Sequence, residues 1–297
     1  MRLRPSIASH LRLMLMFVKA RTAQCADRDL DTGLIKPSTG IGHAMTLRDR
    51  ERQQTNPRAQ AFPTVPRTPG AFLTRLAALD SQATSLKLRQ RQRVLLTPAQ
   101  DDLIFAVQSG VVSTRIAMAM GNAGLITLYF PGDVIAAGAV PNFSERALVA
   151  ATPAEALRYK SKSMLRLLAT DPDLLAAYDR QRDRQAVRAG LHAAILATLD
   201  GPQRLAAFLI EMALELGVAA GSTIAIDLPL SRTEIAQHLA LNADTLSRLM
   251  SRFKADGLIT QKSRHQIALR NWRAIVDMCP VSPAVMAIER NRPSPLN

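Results

Sequence analysis

Residues 228–272 read LPLSRTEIAQHLALNADTLSRLMSRFKADGLITQKSRHQIALRNW, and the whole reading of the chain starts from this stretch. Ser231 followed three residues later by Glu234 makes a capping box, in which each residue satisfies a backbone N–H of the other at a helix start. Leu230, Ile235 and Leu239 give that helix a narrow apolar face. Ala240-Leu241-Asn242 makes a turn, with Asn242 placed to cap a second helix. In the second helix Leu246, Leu249, Met250 and Phe253 recur at helical spacing and point inward. Asp244, Thr245, Ser247, Arg248, Ser251 and Arg252 are left on the outer face. Gly257 stops the helix, since a left-handed residue is needed just past its end. Leu258 to Leu269 then supplies two short strands around the basic Lys262-Ser263-Arg264. Two helices joined by a tight turn and followed by a β-hairpin make a winged helix-turn-helix, whose second helix is shaped for the DNA major groove.

The charge agrees with that reading. Between Pro229 and Val276 there are eight Arg or Lys against three acids, a net charge of +5 on a small domain. Such a surface binds phosphate through counterion release, whatever the base sequence. The whole chain carries +14, so basic residues are plentiful everywhere, and it is their clustering on the second helix and the hairpin that points to DNA.

From Leu228 to Leu269 the chain resembles the Crp–Fnr superfamily of bacterial transcription regulators, with SRTEIAQHLALNADTLSRLMSRFKADGLI as the matching run. The resemblance implies that three outward residues near the start of the second helix read base edges, at positions that fall on Asp244, Ser247 and Arg248. Arg248 offers a fork of donors that suits guanine O6 and N7. Ser247 suits a thymine or adenine edge. Asp244 stands where the family usually has glutamate; one methylene shorter, it needs a water bridge or a deeper helix, or serves only as a favourable charge at the helix N-terminus. Thr245, Ser251, Arg252, Lys254, Lys262 and Arg264 are assigned to phosphates. The turn glycine common in the family is Ala240 here, which a slightly different turn would accommodate.

Upstream, Leu86 to Tyr159 reads as short strands at roughly ten-residue spacing, the pattern of a small antiparallel barrel or jelly roll. Gly121 to Gly124 marks a hairpin tip between Arg115–Met120 and Leu125–Phe130, and Ala147–Tyr159 a further strand pair. FAVQSGVV and YFPGDVI resemble the β-roll sensor domain of the same superfamily. Asp171-Pro172-Asp173 opens a long helical pattern to Leu199, where the family has its two-fold dimer seam. Arg180–Gln185 interrupts the heptad, as a solvent-facing interval or as a seam that an effector closes. The expected architecture is α+β: a basic arm (1–70), a β-roll (71–170), a dimerisation helix (171–200), the winged helix-turn-helix (201–280) and a tail (281–297). A dimer would read an inverted repeat in double-stranded DNA.

Effector residues of the superfamily are largely missing. Cys25 is the only cysteine ahead of the winged domain, so a four-thiolate iron–sulfur cluster cannot form within one chain. Counting on from Pro131-Gly132-Asp133, the Gly-Glu pair of cyclic-nucleotide members falls at Ala136-Ala137 and the Arg-Ser pair at Arg146-Ala147. Arg146 is left as a possible phosphate contact in an effector pocket, or as a surface salt bridge. No cofactor is expected, with haem or a cyclic nucleotide as the alternatives; the five histidines have no ligand spacing and no metal is expected. In these features the chain resembles the FixK-like group, which implies an activator of microaerobic and nitrogen-fixation genes. Met118–Gly124 lacks the acid with which oxygen-sensing relatives touch RNA polymerase, which argues against activation by that surface; RNA polymerase is still the expected partner of an activator, with repression or ligand gating as the alternative.

Met1 to Gly70 has twelve Arg or Lys, five acids and six prolines, the composition of a disordered basic arm. Leu11–Val18 is too short to cross a bilayer. A signal peptide conflicts with DNA reading, and a true start near Met45 explains the arm equally well. No membrane association is expected, and the location is cytoplasmic. No catalytic-serine motif, phosphate loop, HExxH or CxxC is present, so no enzyme is expected; a protein-contact module would leave the basic face idle.

Overall fold

The computed structural model describes residues 71–79, 83–117, 125–141 and 145–290. The basic arm, the tip Met118–Gly124 and the last seven residues lie outside the described residues. A short helix α1 (Ala71–Leu79) precedes eight strands: β1 (Thr84–Leu88), β2 (Arg93–Leu95), β3 (Leu103–Ser109), β4 (Val112–Ala117), β5 (Leu125–Tyr129), β6 (Val134–Ala136), β7 (Glu145–Ala150) and β8 (Ala154–Lys160). They form two antiparallel four-stranded sheets, in the orders β1-β8-β3-β6 and β2-β7-β4-β5. Strand alternation decides the packing. Phe105 and Val107 point into the core between the sheets with Val112, Ile116 and Leu148. Ile104 and Ala106 point the other way, onto Phe72, Leu76, Met164 and Leu174 of the covering helices.

β7 and β8 are not a pair with each other. β7 pairs with β2 and β4 and β8 with β1 and β3, so the chain crosses between sheets at Thr152-Pro153. β3 and β4 cross in the same way at Gly110, and the two corners stack. A Cβ on Gly110 would lie 2.1 Å from the Pro153 carbonyl oxygen, and its φ of 73° is left-handed. Thr152 Oγ1 accepts from the Val111 amide at 2.8 Å, which locks the corners together.

Helix α2 (Ser161–Thr170) leads into α3 (Pro172–Thr198), 27 residues without a break. Asp171 caps it, accepting from the amides of Asp173 and Leu174. The charged interval is neither wholly solvent-facing nor a break. Gln181 and Arg184 are buried against the roll, while Arg180, Arg182 and Asp183 face outward. Gln185 acts as a strand partner, accepting from the Val134 amide and donating to its carbonyl.

Asp200 caps α4 (Gly201–Leu216), which is followed by β9 (Val218–Ala220) and β10 (Thr223–Asp227). Then come α5 (Arg232–His238), α6 (Ala243–Ala255), β11 (Ile259–Gln261), β12 (Gln266–Leu269), α7 (Trp272–Met278) and α8 (Ser282–Arg290). The wing is therefore a four-stranded sheet, β11-β12-β10-β9, rather than a hairpin alone. Most of the stretch taken as a tail is α8, whose Val285 is buried in the same core as α4. No helix of the described residues is long and apolar enough to cross a membrane.

Candidate DNA-binding interface

Local chemistry builds the two helices as the sequence demands. Ser231 Oγ accepts from the Glu234 amide, and Glu234 Oε2 accepts from the Ser231 amide at 2.7 Å. Asn242 Oδ1 accepts from the Asp244 amide at 2.8 Å and starts α6. Leu246, Met250 and Phe253 are buried, with Leu249 half-buried beside Gly201. Gly257 ends the helix at φ 69°.

The turn departs from expectation. Ala240 does not adopt a different turn: it keeps the left-handed conformation, with φ 49°. Such a conformation costs a residue with a Cβ about 1–2 kcal/mol. The guanidinium of Arg204 on α4 holds the turn, donating to the carbonyls of Leu239 and Ala240 and also to those of Leu196 and Leu199. One side chain thus ties the end of the long helix to the turn between α5 and α6. Sequence reading missed Arg204, because nothing in its local pattern distinguishes it from any surface arginine.

Asp244, Thr245, Ser247, Arg248, Ser251, Arg252 and Lys254 are all exposed along α6, and Lys262 and Arg264 are exposed at the wing turn. Two of them carry local contacts. The Ser247 hydroxyl donates to the Ala243 carbonyl at 2.9 Å, leaving it an acceptor for any base. Arg252 lies 3.7 Å from Asp256, an exposed pair of little energetic weight. The wing turn is ordered by Ser263 Oγ, which accepts from the His265 and Gln266 amides. The roll reaches the same unit through Arg115, which pairs with Glu234.

Arg146 is neither a surface residue nor part of an open pocket. It is buried, its Nε and Nη1 donate to the carbonyls of Leu96, Ala137 and Val140, and its Nη2 pairs with Asp101. Four of its five donors are therefore spent on holding the roll. A separate cavity of about 530 Å³ lies between strands of the roll and α3, lined by Thr127, Tyr129, Tyr178, Arg182, Gln185 and His192 among others. Among the described residues, no group of three or more His, Cys, Asp or Glu is placed to hold a metal.

Residues 203–278 match the Crp-like helix-turn-helix domain family. The transcriptional regulatory protein btr of Bordetella pertussis is 27% identical over 164 residues, 55% of this chain and 68% of that protein. The nitrogen fixation regulation protein FixK of Azorhizobium caulinodans is 26% identical over 58% of this chain and 69% of its own length. The structure of FixK2 from Bradyrhizobium japonicum superposes with a TM-score of 0.57 at 23% identity, covering 66% of this chain and 97% of that one. These likenesses cover more of the chain than the winged domain alone, and they are to proteins named as regulators. Residues 203–278 are thus a Crp-like helix-turn-helix domain, and the chain is similar to proteins named as transcription regulators of the Crp–Fnr type.

Proposed function

We propose that the protein is a cytoplasmic homodimer that reads an inverted repeat and activates transcription without a cyclic nucleotide or an iron–sulfur cluster. The observation that carries the DNA reading is the outer face of α6, where Asp244, Ser247 and Arg248 stand exposed with phosphate-binding candidates around them. Arg248 takes a guanine edge, while Thr245, Ser251, Arg252, Lys254, Lys262 and Arg264 hold phosphates. The dimer reading is supported by α3. Ala186, Val187, Gly190, Ala193, Ala194 and Ala197 leave an exposed apolar strip of small side chains along its second half, which lets two helix backbones approach closely.

The internal use of Arg146 supports the absence of a cyclic-nucleotide effector, because a bound phosphate would have to displace its carbonyl and Asp101 partners. The relative named as a nitrogen fixation regulation protein supports a role in nitrogen-fixation control; RNA polymerase is the further partner that an activator requires. A second reading, a ligand-gated regulator, is favoured by the cavity between the roll and α3, with haem or a cyclic nucleotide as candidate occupants. Repression is the alternative sign of control.

Selection of genomic fragments on the purified protein with no ligand added tests both readings. Enrichment of an inverted repeat supports the ligand-independent dimer. A soluble dimer that enriches nothing supports gating through the cavity.

A further inference from the structure

Arg184 and Arg188, one turn apart on the long helix, converge on three carboxylates from two other elements. Asp133, fully buried in the turn before β6, accepts from the Phe130 amide at 2.9 Å and from Gln181 Nε2 at 2.6 Å. It also pairs with Arg188, and Arg184 lies 3.9 Å away. Glu215 of α4, likewise fully buried, accepts from Arg184 at 2.7 Å and lies 3.5 Å from Arg188. One turn earlier on α4, Glu211 approaches Arg188 Nε at 4.0 Å. Among the described residues, three carboxylates thus surround two guanidiniums, and with all five ionised their formal charges sum to −1. Such a charge away from water is costly, and uptake of a proton is the ordinary resolution.

Geometry selects the acid that takes it. Asp133 and Glu215 each accept a charge-assisted hydrogen bond from a guanidinium. Among the described residues Glu211 has the long approach to Arg188 alone, and its 21% side-chain exposure gives a proton a route to solvent. Burial pushes its carboxyl up to about 7; Arg188 opposes the shift, and Glu215 and Asp133 add to it.

We propose that Glu211 carries the exchangeable proton of this cluster and that the proton sets how firmly the winged domain is held to the roll and the long helix. The cluster is the right place for such control, since Asp133 belongs to the roll, Arg184 and Arg188 to α3, and Glu211 and Glu215 to the first helix of the winged domain. The charged and titratable groups around Glu211 are Arg184, Arg188 and His192 from α3, Asp133 from the roll, Glu215 from its own helix and His238 from α5, with Arg182, Tyr178 and Tyr129 farther along the cavity. Val285 and Ile288 of α8 line the space beside it. The rings of His192 and His238 stack at 4.2 Å, and burial pushes His192 down.

The direction follows from linkage. A carboxyl raised from 4.5 to about 7 in the docked arrangement favours its protonated form there. Docking is then firmest below the ordinary carboxylate range, weakens as pH rises toward the docked value, and levels off above it. Between about pH 6 and about pH 7.5 the docking constant falls about eightfold. His192 acts in the opposite sense, since a lowered imidazole would make docking firmer as pH rises, so the sign separates the two groups.

The test is hydrogen–deuterium exchange on the full chain, at pH 6 and pH 7.5, comparing wild type with Glu211→Gln at each pH. The glutamine imitates the protonated acid, and the same-pH ratio cancels the intrinsic pH dependence of exchange. The reporters are segments 128–136 and 184–192, which carry the contacts of Asp133, Val134, Arg184 and Arg188. The expected result is a wild-type to variant ratio that rises about eightfold between the two conditions. An equal ratio at both pH values, or one that falls, overturns the proposal. Carbon-13 NMR of wild type labelled at the glutamate carboxyl carbons gives a reading that needs no variant. One glutamate titrating near neutral supports the proposal, and its absence overturns it. Neither measurement involves DNA, so failure here leaves the DNA-binding reading standing.

Discussion

Replacing Arg248 with alanine separates base reading from simple charge attraction. Arg248 is exposed on α6 and makes no ion pair with another described residue, so its removal leaves the fold intact to within about 0.5 kcal/mol. Loss of a bidentate contact to guanine costs about 1–3 kcal/mol per half-site. That is about 5–150-fold in affinity for one half-site, and the loss is compounded when both halves of an inverted repeat are read. The assay is an anisotropy titration of the selected repeat, of the same repeat with each base pair replaced in turn, and of a scrambled duplex, at several salt concentrations. Arg248→Ala should bind the scrambled duplex almost as wild type does, and it should lose its preference at one position of each half-site. The slope of log affinity against log salt should stay unchanged, since the number of phosphate contacts is the same. Equal loss on specific and scrambled DNA, with a shallower slope, would refute the assignment and make Arg248 a phosphate ligand.

Lys262→Ala is the opposite case: it should weaken all duplexes alike and reduce the salt slope by about 1. Arg184→Ala removes a guanidinium that donates to the fully buried Glu215, and should cost about 3–5 kcal/mol in thermal or urea unfolding. A loss below about 1 kcal/mol would show that one guanidinium suffices for the cluster. Gly110→Ala places a Cβ 2.1 Å from the Pro153 oxygen at φ 73°, so the stacked corners must part. A destabilisation of about 2–5 kcal/mol is expected from clash and left-handed strain together. Ala240→Gly should do the reverse and raise stability by about 0.5–1 kcal/mol, the relieved strain less the entropy that glycine adds to the unfolded chain. An unchanged melting temperature would mean that the Arg204 clamp already absorbs that strain.

The winged domain was legible because each of its signals is local. Ser231 and Glu234, Asn242, the periodic Leu246, Met250 and Phe253, and Gly257 all act within one or two helical turns, so spacing alone places them. β9 and β10 escaped the reading because one is a three-residue exposed strand and the other has only Ile224 and Ile226 as its buried alternation. α8 was hidden by its position after the matching motif and by a sequence that begins with Ser282-Pro283. In the roll, the presence of short strands and the position of several could be read, but not which sheet receives each strand. β7 and β8 are separated by only three residues, and a tight pairing and a crossing between sheets look alike in so short a link.

The sequence by itself determined the winged helix-turn-helix, the exposed face of its second helix, the caps that bound it, the strand-rich roll and the long helix behind it. Periodicity and capping are properties of neighbours along the chain, and they need no knowledge of the rest of the molecule. Only the tertiary structure decided what distant charges do. It spent Arg146 on carbonyls and Asp101, fixed the turn at Ala240 with Arg204, and gathered Arg184, Arg188, Asp133, Glu211 and Glu215 into one cluster. An arginine on a helix reads the same in sequence whether it faces water or a buried carboxylate. Its energy depends on the dielectric and on partners up to 98 residues away, which the fold alone supplies.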